Sequence, residues 1–495
     1  MSNSKYIETK LIHGGIDGDK VTGAVNVPIY QTSTYTQAGL GENTGWEYSR
    51  TGNPTRAALE ALIADLEGGV AGFAFGSGMA ATSTVLSLFK QGDRIIISSN
   101  VYGGTFRVLD KVFKNLGITY SIEDTTDLAT LDTRLAALSR VINSKNSLPI
   151  LGDFLFEVID GSLHLTASDS EVMMKTSLEL NDNDGNGRFC VGNHDLLEGV
   201  KGVSEQPITF DVDLQANITK ISYQNGMFSL PVENADEFPQ PQQIGEGATT
   251  INIPTQVMAD NINRSIFATA QDELRPVMNG IYFDLTADYL AVVASDGHKL
   301  VRNKILNIKS DQPAAFILPK KPATLLKGVL GKQGGDVVIR FDDRNAEINF
   351  EDGIIICRLI EGRYPNYNSV IPQSNPNQLT VDRMGLLAAL RRVQPFSNDS
   401  SNLVRFHVEN GTLQLDAEDY DFSKTATEKM SCEYNGMPMS IGFKGSSFIE
   451  ILSNFDCQEV VIQLADPSRA GLVLPSEQPA DQDVLMLMMP MLIND

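Results

Sequence analysis

The chain is poor in several features that mark particular classes of protein. Its 495 residues include four cysteines and one tryptophan. Cys190, Cys357, Cys432 and Cys457 are far apart and have no metal-ligand spacing, so we expect reduced structural thiols, no disulfide scaffold and no metal site. No apolar run is long enough to span a membrane, and the N-terminus lacks a charged and then apolar signal. We therefore expect a cytoplasmic protein without a membrane partner.

An excess of positive charge is also missing. The chain has 39 Lys and Arg against 62 Asp and Glu, a net charge of −23. Residues 1–128 contribute −3 of this and the remainder −20. The acids crowd into segments with strand and turn character, such as ASDSE, ENADEF and DAEDYDF, whereas the bases lie in helical segments. An acidic exterior of this kind opposes nonspecific coating of nucleic acid.

What the sequence does contain is a pattern that occurs three times. Each copy has two alternating apolar and polar runs around a short polar turn, which predicts a β-hairpin. Phe156, Phe283 and Phe406 hold the same position in the copies and lie 127 and 123 residues apart. This spacing is too long for a solenoid unit and indicates a whole subdomain used three times. The copies are FLFEVIDGSLHLTASD (154–169), IYFDLTADYLAVVASD (281–296) and VRFHVENGTLQLDAED (404–419).

Helical segments flank each hairpin. Each carries one apolar stripe, which leaves its other face for solvent or a ligand. Every unit therefore has the order helix, strands, helix, strands within the length of one ordinary domain, which predicts an α+β fold. The preceding helical segments are 130–142, 255–269 and 382–394, and the following ones are 194–203, 322–331 and 446–455.

Several longer stretches occur in order through about residues 129–495: SKNSLPIL, LTASDSE, ELRPVMNGIYFD, ASDGHKLVR, RLIEGRYPNYNSVIP, ADPSRAG and LMLMMPML. Together they resemble the bacterial DNA polymerase III beta subunit, a sliding clamp. The resemblance implies three clamp domains, 129–247, 248–372 and 373–495, that form half of a ring. It also implies a homodimer that encircles duplex DNA, acts as a processivity factor and has no catalytic residues.

The resemblance makes basic residues on the helices candidates for DNA binding. A ring with helices inside has a basic bore that holds phosphates without base contacts, so binding would be independent of sequence. Lys145 also occupies the loop position that reaches the duplex in clamps. The alternative for each residue is a solvated helix face. The candidates are Lys145, Arg140, Lys201, Arg264, Lys320, Lys321, Lys327, Arg391, Arg392 and Lys444.

The resemblance further implies a pocket between the second and third domains. It would bind the replicative polymerase, the clamp loader and repair proteins through a short linear motif. Methionine suits varied apolar partners, although core packing is the alternative for a Met-rich stretch. Ser369 stands where many family members carry a basic residue. The implied lining is Met278, Ser295, Gly297, His298, Lys299, Leu300, Pro365, Val370, Leu487, Met488, Met489, Pro490 and Met491.

The dimer interface follows from the same resemblance. In the family, the first domain of one protomer meets the third domain of its partner. Phe228 and Leu230 lie on the matching edge strand of the first unit, and Phe396 follows the helix of the third. We expect these three side chains at the interface.

One motif points elsewhere. The segment DNDGNGRFCVGN (182–193) begins like a calcium-binding loop, with Asp182, Asp184 and Asn186 in register. Its twelfth position is Asn193, where a bidentate Glu is required. Its flanks have strand character, so we interpret it as a hairpin turn and expect no calcium.

The first 128 residues have a different character. LIHGGID, NVPIYQTSTY, GWEYSRTGNPTRAALEALIADLEGG, FAFGSGMAAT and NVYGGTFRVL resemble the start of the cystathionine synthase/lyase family of pyridoxal-phosphate enzymes. The resemblance covers about the first third of such an enzyme, so it implies an incomplete α/β fragment of the large domain. It also implies vestigial cofactor contacts at Tyr48, Arg50, Gly78, Met79 and Tyr102.

The fragment lacks the residues that perform the chemistry. The Schiff-base Lys and the Asp that pairs with the pyridine nitrogen lie well downstream in the family, where this chain has clamp sequence. Without that Lys the cofactor has no covalent anchor, so we expect no cofactor unless the fragment keeps a site. The alternative function, a lyase or transferase of Cys/Met metabolism, is therefore disfavoured.

The seam between the two resemblances carries structural expectations of its own. ITYSIEDT (118–125) alternates in polarity and could serve as the first strand of the first clamp domain. FAFG (73–76) and RIIISS (94–99) should be strands of the enzyme fragment. They would lack their usual neighbours and leave an apolar face and parallel edges open.

Overall fold

The computed structural model describes residues 10–11, 18–19, 21–98, 101–123, 131–146, 148–203, 206–331 and 334–493. The chain divides into two compact units, Met1–Leu128 and Ala129–Asp495. Within the described residues, no helix is long and apolar enough to cross a membrane.

The first unit has few elements in its described part. Asn53 caps the first helix by accepting a hydrogen bond from the Thr55 amide, and Pro54 fits the first helical position. The two strands pair in parallel. The elements are α1 (Pro54–Leu66), α2 (Gly78–Leu86), β1 (Arg94–Ser98), α3 (Gly103–Lys111) and β2 (Thr119–Glu123).

The core of this unit is small. Helix α1 contributes no buried residue, and Phe73 is 78% exposed. An apolar face is therefore left open, as the sequence predicts for a fragment of a larger α/β domain. Among the side chains that the structure describes, the buried apolar ones are Leu86, Ile97, Leu109, Phe113 and Ile118.

Two strand expectations near the seam are wrong. Residues 71–75 form no strand, and the Ala74 amide donates instead to Glu60 Oε1 at 2.8 Å, because no neighbouring strand is available to FAFG. ITYSIEDT does not complete the first clamp unit. Its residues Thr119–Glu123 form β2, which pairs with β1 of the enzyme fragment.

The second unit consists of three modules with a similar order of elements. In the described residues, module 1 lacks the strand that precedes the first helix of the other two, and module 3 has one additional short strand. Module 1 contains α4 (Leu131–Ser139), β3 (Asp153–Ile159), β4 (Ser162–Ser168), β5 (Val172–Glu179), β6 (Gly187–Gly192), α5 (Asn193–Lys201), β7 (Thr209–Asp213), β8 (Ile218–Tyr223) and β9 (Gly226–Glu233). Module 2 contains β10 (Thr249–Pro254), α6 (Thr255–Ser265), β11 (Gly280–Leu285), β12 (Leu290–Ser295), β13 (Lys299–Ile305), β14 (Ala314–Pro319), α7 (Lys320–Leu330), β15 (Asp336–Phe341), β16 (Asn345–Phe350) and β17 (Gly353–Arg358). Module 3 contains β18 (Asn377–Asp382), α8 (Arg383–Val393), β19 (Leu403–Glu409), β20 (Thr412–Asp419), β21 (Lys424–Ser431), β22 (Glu433–Tyr434), β23 (Met439–Lys444), α9 (Gly445–Ser453), β24 (Glu459–Leu464), β25 (Gly471–Pro475) and β26 (Gln482–Met488).

Neighbouring modules share their sheets. An 11-stranded sheet runs β10-β15-β16-β17-β5-β4-β3-β6-β9-β8-β7, and a 9-stranded sheet runs β14-β11-β12-β13-β26-β25-β24-β18-β22. The remaining 4-stranded sheet of module 3 runs β21-β20-β19-β23. Modules 1 and 2 are joined by the antiparallel pair β5·β17, and modules 2 and 3 by the antiparallel pair β13·β26.

The three repeated hairpins are confirmed as β3–β4, β11–β12 and β19–β20. Phe156, Phe283 and Phe406 are at most 1% exposed, so the repeated aromatic position lies in each module's core. Two helices of every module pack against each other, α4 on α5, α6 on α7 and α8 on α9. The apolar helix stripes therefore cover the sheets and leave the polar helix faces exposed to solvent.

The segment that resembles a calcium loop does not form a hairpin turn. Strands β5 and β6 are separated in their sheet by β4 and β3, so residues 180–186 cross over both strands. Asn186 closes this loop onto the β3–β4 turn, because its Oδ1 accepts from the Asp160 amide at 3.0 Å. Across the described ranges, no group of three His, Cys, Asp or Glu side chains is arranged to hold a metal ion.

Candidate functional sites

Two of the unpaired strand edges in the second unit belong to β21 and β9. Within the described residues, β21 pairs only with β20. Strand β9 pairs along its length with β8 and meets β6 only at Val232 and Glu233. By the internal repeat, β21 is the counterpart of β5 and β13, and β9 is the counterpart of β17 and β26. These counterparts pair with each other at the module junctions, β5 with β17 and β13 with β26. The edge of module 3 and the edge of module 1 are therefore complementary by the internal repeat.

The three expected interface side chains lie at these edges. Phe228 and Leu230 alternate with exposed neighbours along β9. The Phe228 ring lies against Gly199 of α5, where an added Cβ would come within 2.7 Å of the ring. Phe396 follows α8 and is 41% exposed. Apolar surface thus accompanies both open edges.

A carboxyl group beside the β9 edge is electrostatically strained. Burial and the charge of Glu233 raise the pKa of Asp153 to about 6. Above that pH the ionised carboxylate costs folding free energy, and below its unfolded pKa of 3.8 the cost vanishes because the group is protonated in both states. The free energy of unfolding therefore falls as the pH rises from about 4 to about 6, because the cost of ionising Asp153 in the folded protein grows over that range.

We expect Asp153→Asn to raise the thermal midpoint at pH 7.5. The gain should be on the order of 1 kcal/mol, since Asp153 is only half-buried and water screens part of the repulsion. That corresponds to roughly 2–4 °C for a domain of 150–250 residues. At pH 4 the difference between variant and parent should disappear. An equal difference at both pH values would contradict the assignment.

The basic candidates all lie on the helices, at their ends or in the loop after α4. Four of them already have partners. Arg264 donates to Gln482 Oε1 at 3.0 Å, Lys201 lies 3.6 Å from Glu198, and Arg392 forms an ion pair with Glu428.

Lys321, the fourth, has the most complete set of partners. Its ammonium donates to Val141 O at 2.5 Å, to Asn143 Oδ1 at 2.7 Å and to Asp169. A lysine ammonium has three hydrogens, so this side chain is satisfied within the protein and ties module 2 to module 1. Within the described residues, the candidates without such a partner are Arg140, Lys145, Lys320, Lys327, Arg391 and Lys444.

The turn before β13 forms the centre of the expected pocket. Ser295 Oγ accepts from the Gly297 amide at 3.1 Å and donates to Lys299 O at 2.9 Å. Gly297 has a φ of +92°, which favours glycine. Although burial opposes ionisation, hydrogen bonds from the Lys299 and His298 amides hold the pKa of Asp296 below its usual value. The turn is therefore rigid, and it presents Gly297 and His298 to solvent.

The C-terminal tail reaches this turn through the backbone. The Met489 amide donates to His298 O at 2.8 Å, and the Met491 amide donates to Gly442 O at 2.8 Å. Of the expected lining, Gly297, His298, Pro365, Val370, Met489, Pro490 and Met491 are at least partly exposed. The others lie beneath the surface, namely Met278, Ser295, Lys299, Leu300, Leu487 and Met488. The core-packing alternative thus applies to Leu487 and Met488, which belong to β26.

Two features near this turn could not be found from the sequence. Arg275 Nη1 would lie 3.1 Å from a Cβ on Gly297, so its guanidinium forms one wall of the site. Lys299 is 8% exposed and pairs with Asp296 at 2.9 Å and with Glu450 of module 3 at 3.1 Å. The stretches ELRPVMNG and SSFIEIL contain Arg275 and Glu450, but only the fold brings them to the turn.

The structure brings some of the vestigial cofactor residues of the first unit into contact with each other, and two of their aromatic rings are exposed to solvent. Tyr102 is 73% exposed, and Tyr48 is 39% exposed with the Arg50 guanidinium 5.0 Å from its ring centre. Tyr102 and Met79 both lie against Gly104, whereas Gly78 begins α2. In the described part of this unit, Lys90 is exposed and the other lysines, Lys10, Lys111 and Lys114, pair with Asp side chains.

Three similar α+β modules with paired helices, shared sheets and complementary open edges define a DNA sliding clamp. Comparison with known families agrees. The families described as DNA polymerase III beta subunit N-terminal, central and C-terminal domain match residues 125–242, 252–366 and 368–492. Over residues 125–492 the chain therefore belongs to the DNA polymerase III beta subunit family. The family described as Cys/Met metabolism PLP-dependent enzyme matches residues 8–144.

Individual relatives match either the clamp region or the N-terminal region of the chain. The beta sliding clamp of Pseudomonas aeruginosa is 26% identical over 358 residues, which are 72% of this chain and 96% of that protein. A crystal structure of the clamp from the same organism, bound to griselimycin, has a TM-score of 0.69 at 26% identity and covers 73% of this chain and 97% of that one. A cystathionine beta-lyase of Lactococcus lactis subsp. cremoris is 64% identical over 131 residues, or 26% of this chain. The chain spans only about a third (34%) of the length of that enzyme.

Proposed function

We propose that the second unit is a processivity factor that encircles duplex DNA as a head-to-tail homodimer. The observation that carries this proposal is the pair of complementary open edges, β9 and β21, in a chain whose other module junctions are antiparallel strand pairs. Adding β21 of one protomer to β9 of its partner repeats the internal junction twice and closes the ring. Closure by a two-fold axis is the commonest oligomer symmetry.

The internal junctions also give a register for the new one. In the β5·β17 pair, Val172, the first residue of β5, lies opposite Cys357, the fifth residue of β17. The first residue of β21 is Lys424, and the fifth of β9 is Leu230. We therefore propose that Lys424 lies opposite Leu230 of the partner subunit. Phe228 then lies near the middle of the shared sheet.

The proposed DNA contacts are the basic side chains on the helix faces. We propose that the six without an internal partner make the main contacts with DNA phosphates. Lys201, Arg264 and Arg392 contribute less, because their internal partners compete with phosphate. Lys321 is excluded from direct contact because its donors are used. Phosphate contacts alone carry no sequence information, so the duplex would be held independently of its sequence.

Salt dependence tests these contacts. On a short linear duplex, replacing Lys145, Lys327 and Arg391 with Ala should weaken binding and flatten its dependence on salt. The slope of log K against log salt should become shallower by about 0.9 for each phosphate that the variant no longer neutralises. Lys309→Ala is the matched control, because Lys309 is an exposed lysine in the loop between β13 and β14. An unchanged slope in the triple variant would mean that these residues are merely solvated.

The surface around Gly297 is the proposed site for polymerase, clamp-loader and repair partners. Its exposed part combines a close-approach glycine, the Met489–Met491 tail and the Arg275 guanidinium. A short linear motif could place an apolar side chain against the methionines while its backbone approaches Gly297. At the rim of this site, Ser369 presents a hydroxyl at the position where many family members carry a basic side chain.

The first unit is proposed to be catalytically inactive. Its described lysines are either ion-paired or exposed away from an enclosed site, and its aromatic ring at Tyr102 is open to solvent. A lyase or transferase of Cys/Met metabolism remains the second candidate, favoured only by the match over residues 8–144. An imine absorbance band in the protein purified with pyridoxal phosphate, trapped by borohydride on a lysine of the first unit, would favour that candidate.

A further inference from the structure

We propose that the junction of modules 1 and 2 holds a second ligand site. It is a cavity of about 470 Å³ between the turn before β5, the start of α7 and the segment after β17. We infer that it takes a short peptide segment with a basic side chain next to an apolar one. A volume of this size lies within the range of ligand pockets and accommodates a few side chains.

The turn at this junction is built like the turn around Gly297. The amides of Glu171 and Val172 both donate to Asp169 Oδ1, at 3.0 and 2.7 Å. The corresponding amides before β13 donate to Asp296 Oδ1 at 2.8 and 2.9 Å. Ser170 has a left-handed φ of +80° at the position where the other turn has its glycine. The two turns therefore have the same backbone course.

The segment after the joining strand also matches. The Arg358 amide donates to Glu171 O at 2.9 Å, as the Met489 amide donates to His298 O at 2.8 Å. Residues 358–361 therefore lie against this turn in the way that the C-terminal tail lies against the other. The cavity is the counterpart, by internal repeat, of the proposed partner pocket, and it has a different set of side chains.

Those side chains determine the ligand chemistry. The floor is apolar, because Val172, Pro322 and Leu359 are buried. Asp169 is 5% exposed and is already paired with Lys321, whose three donors are all used. The bottom of the cavity is therefore neutral and rigid, and it suits an apolar side chain.

The rim is acidic. Arg358 lies 3.6 Å from Glu361, so these two charges offset each other. Within the described residues, the exposed Glu171 carboxylate has neither a hydrogen-bonding partner nor an ion-pair partner. One uncompensated carboxylate at the mouth of an apolar cavity favours a cationic group beside an apolar anchor. The other pocket has His298 at the place of Glu171 and Met489 at the place of Arg358, so the two sites should not compete for one ligand.

Two tetrapeptides of opposite charge test the proposal on the full-length dimer. The probes are acetyl-Leu-Lys-Leu-Lys-amide and acetyl-Leu-Glu-Leu-Glu-amide, titrated by calorimetry. We expect only the first to bind. Glu171→Gln should weaken it about threefold and Glu171→Lys at least tenfold, as expected for a charge at a partly exposed rim. Within the described residues the Glu171 side chain makes no hydrogen bond or ion pair, so both variants should fold.

Two controls separate this site from the rest of the molecule. Glu477→Gln removes an exposed carboxylate elsewhere in module 3 and should change nothing. A chain that ends after Met488 lacks the tail of the other pocket and should still bind the basic peptide with unchanged affinity. No binding at millimolar peptide, a preference for the acidic peptide, insensitivity to Glu171→Lys, or loss of binding in the shortened chain would each overturn the proposal. None of these results depends on whether the ring encircles DNA.

Discussion

Replacing Phe228 and Leu230 together with Ala should convert the dimer into a monomer at micromolar concentration. Both side chains lie on the open β9 edge, and buried apolar anchors at an interface typically contribute about 2 kcal/mol or more each. The dissociation constant should therefore rise at least a hundredfold. Sedimentation or native mass measurement gives the result directly. A dimer of unchanged affinity would contradict the proposed interface.

Both side chains also pack partly against their own core, so loss of fold must be distinguished from loss of dimer. Phe210→Ala is the matched control. Phe210 is a partly buried aromatic residue of the same cluster, but it lies on β7 rather than on β9. It should lower the thermal midpoint comparably and leave the dimer intact.

The register has its own test. Lys424→Cys combined with Leu230→Cys should give a disulfide between subunits, because opposed residues of antiparallel strands have Cα atoms about 4.5–5.5 Å apart. Lys424→Cys combined with Phe228→Cys is displaced by two residues along the strand and should not cross-link. Cys432 and Cys457 are partly exposed and should first be changed to Ser. The opposite pattern would mean that the internal repeat does not set the register.

Ending the chain after Met488 should reduce the affinity for a polymerase-derived motif peptide at least thirtyfold. The truncation removes Met489, Pro490 and Met491, which form one wall of the proposed pocket, and it spares β26. A loss of that size corresponds to about 2 kcal/mol, as expected when a set of central contacts is deleted. Fluorescence anisotropy of a labelled peptide measures it.

The control for this truncation is a chain that ends after Leu492. It loses the extreme terminus but keeps all three lining residues, so its affinity should equal that of the full chain. Both shortened chains should remain dimeric, because the tail contacts β23, which is at the opposite edge of the 4-stranded sheet from β21. Equal peptide affinity in the two shortened chains would show that the tail is not part of the peptide site.

The periodic segments of this chain could be predicted because their patterns are local. The hairpins around Phe156, Phe283 and Phe406 alternate regularly, and the helices of the second unit carry single apolar stripes. The tail LMLMMPML has no such alternation. Its first half, residues 485–488, forms the end of β26 in the middle of the 9-stranded sheet, where both faces are covered and a continuous apolar run results.

Pairing over long distances could not be predicted. ITYSIEDT alternates as a clamp strand would, yet β2 pairs with β1 because that edge lies within its own unit. The position of Lys321 in the sequence predicts a phosphate contact. Only the fold shows that its ammonium already donates to Asp169 and Val141. The sharing of sheets between modules, from which the dimer register follows, likewise depends on strands far apart in the chain.

Release from circular DNA tests most directly whether the protein encircles the duplex. The protein is loaded on a nicked circular plasmid by a clamp loader and then washed in high salt, which weakens direct phosphate contacts. A closed ring should stay on the circle through the wash and leave within minutes when a single restriction cut makes the DNA linear. The Phe228→Ala and Leu230→Ala double variant should not be retained at all. If the protein leaves circular and linear DNA at the same rate, it does not encircle the duplex.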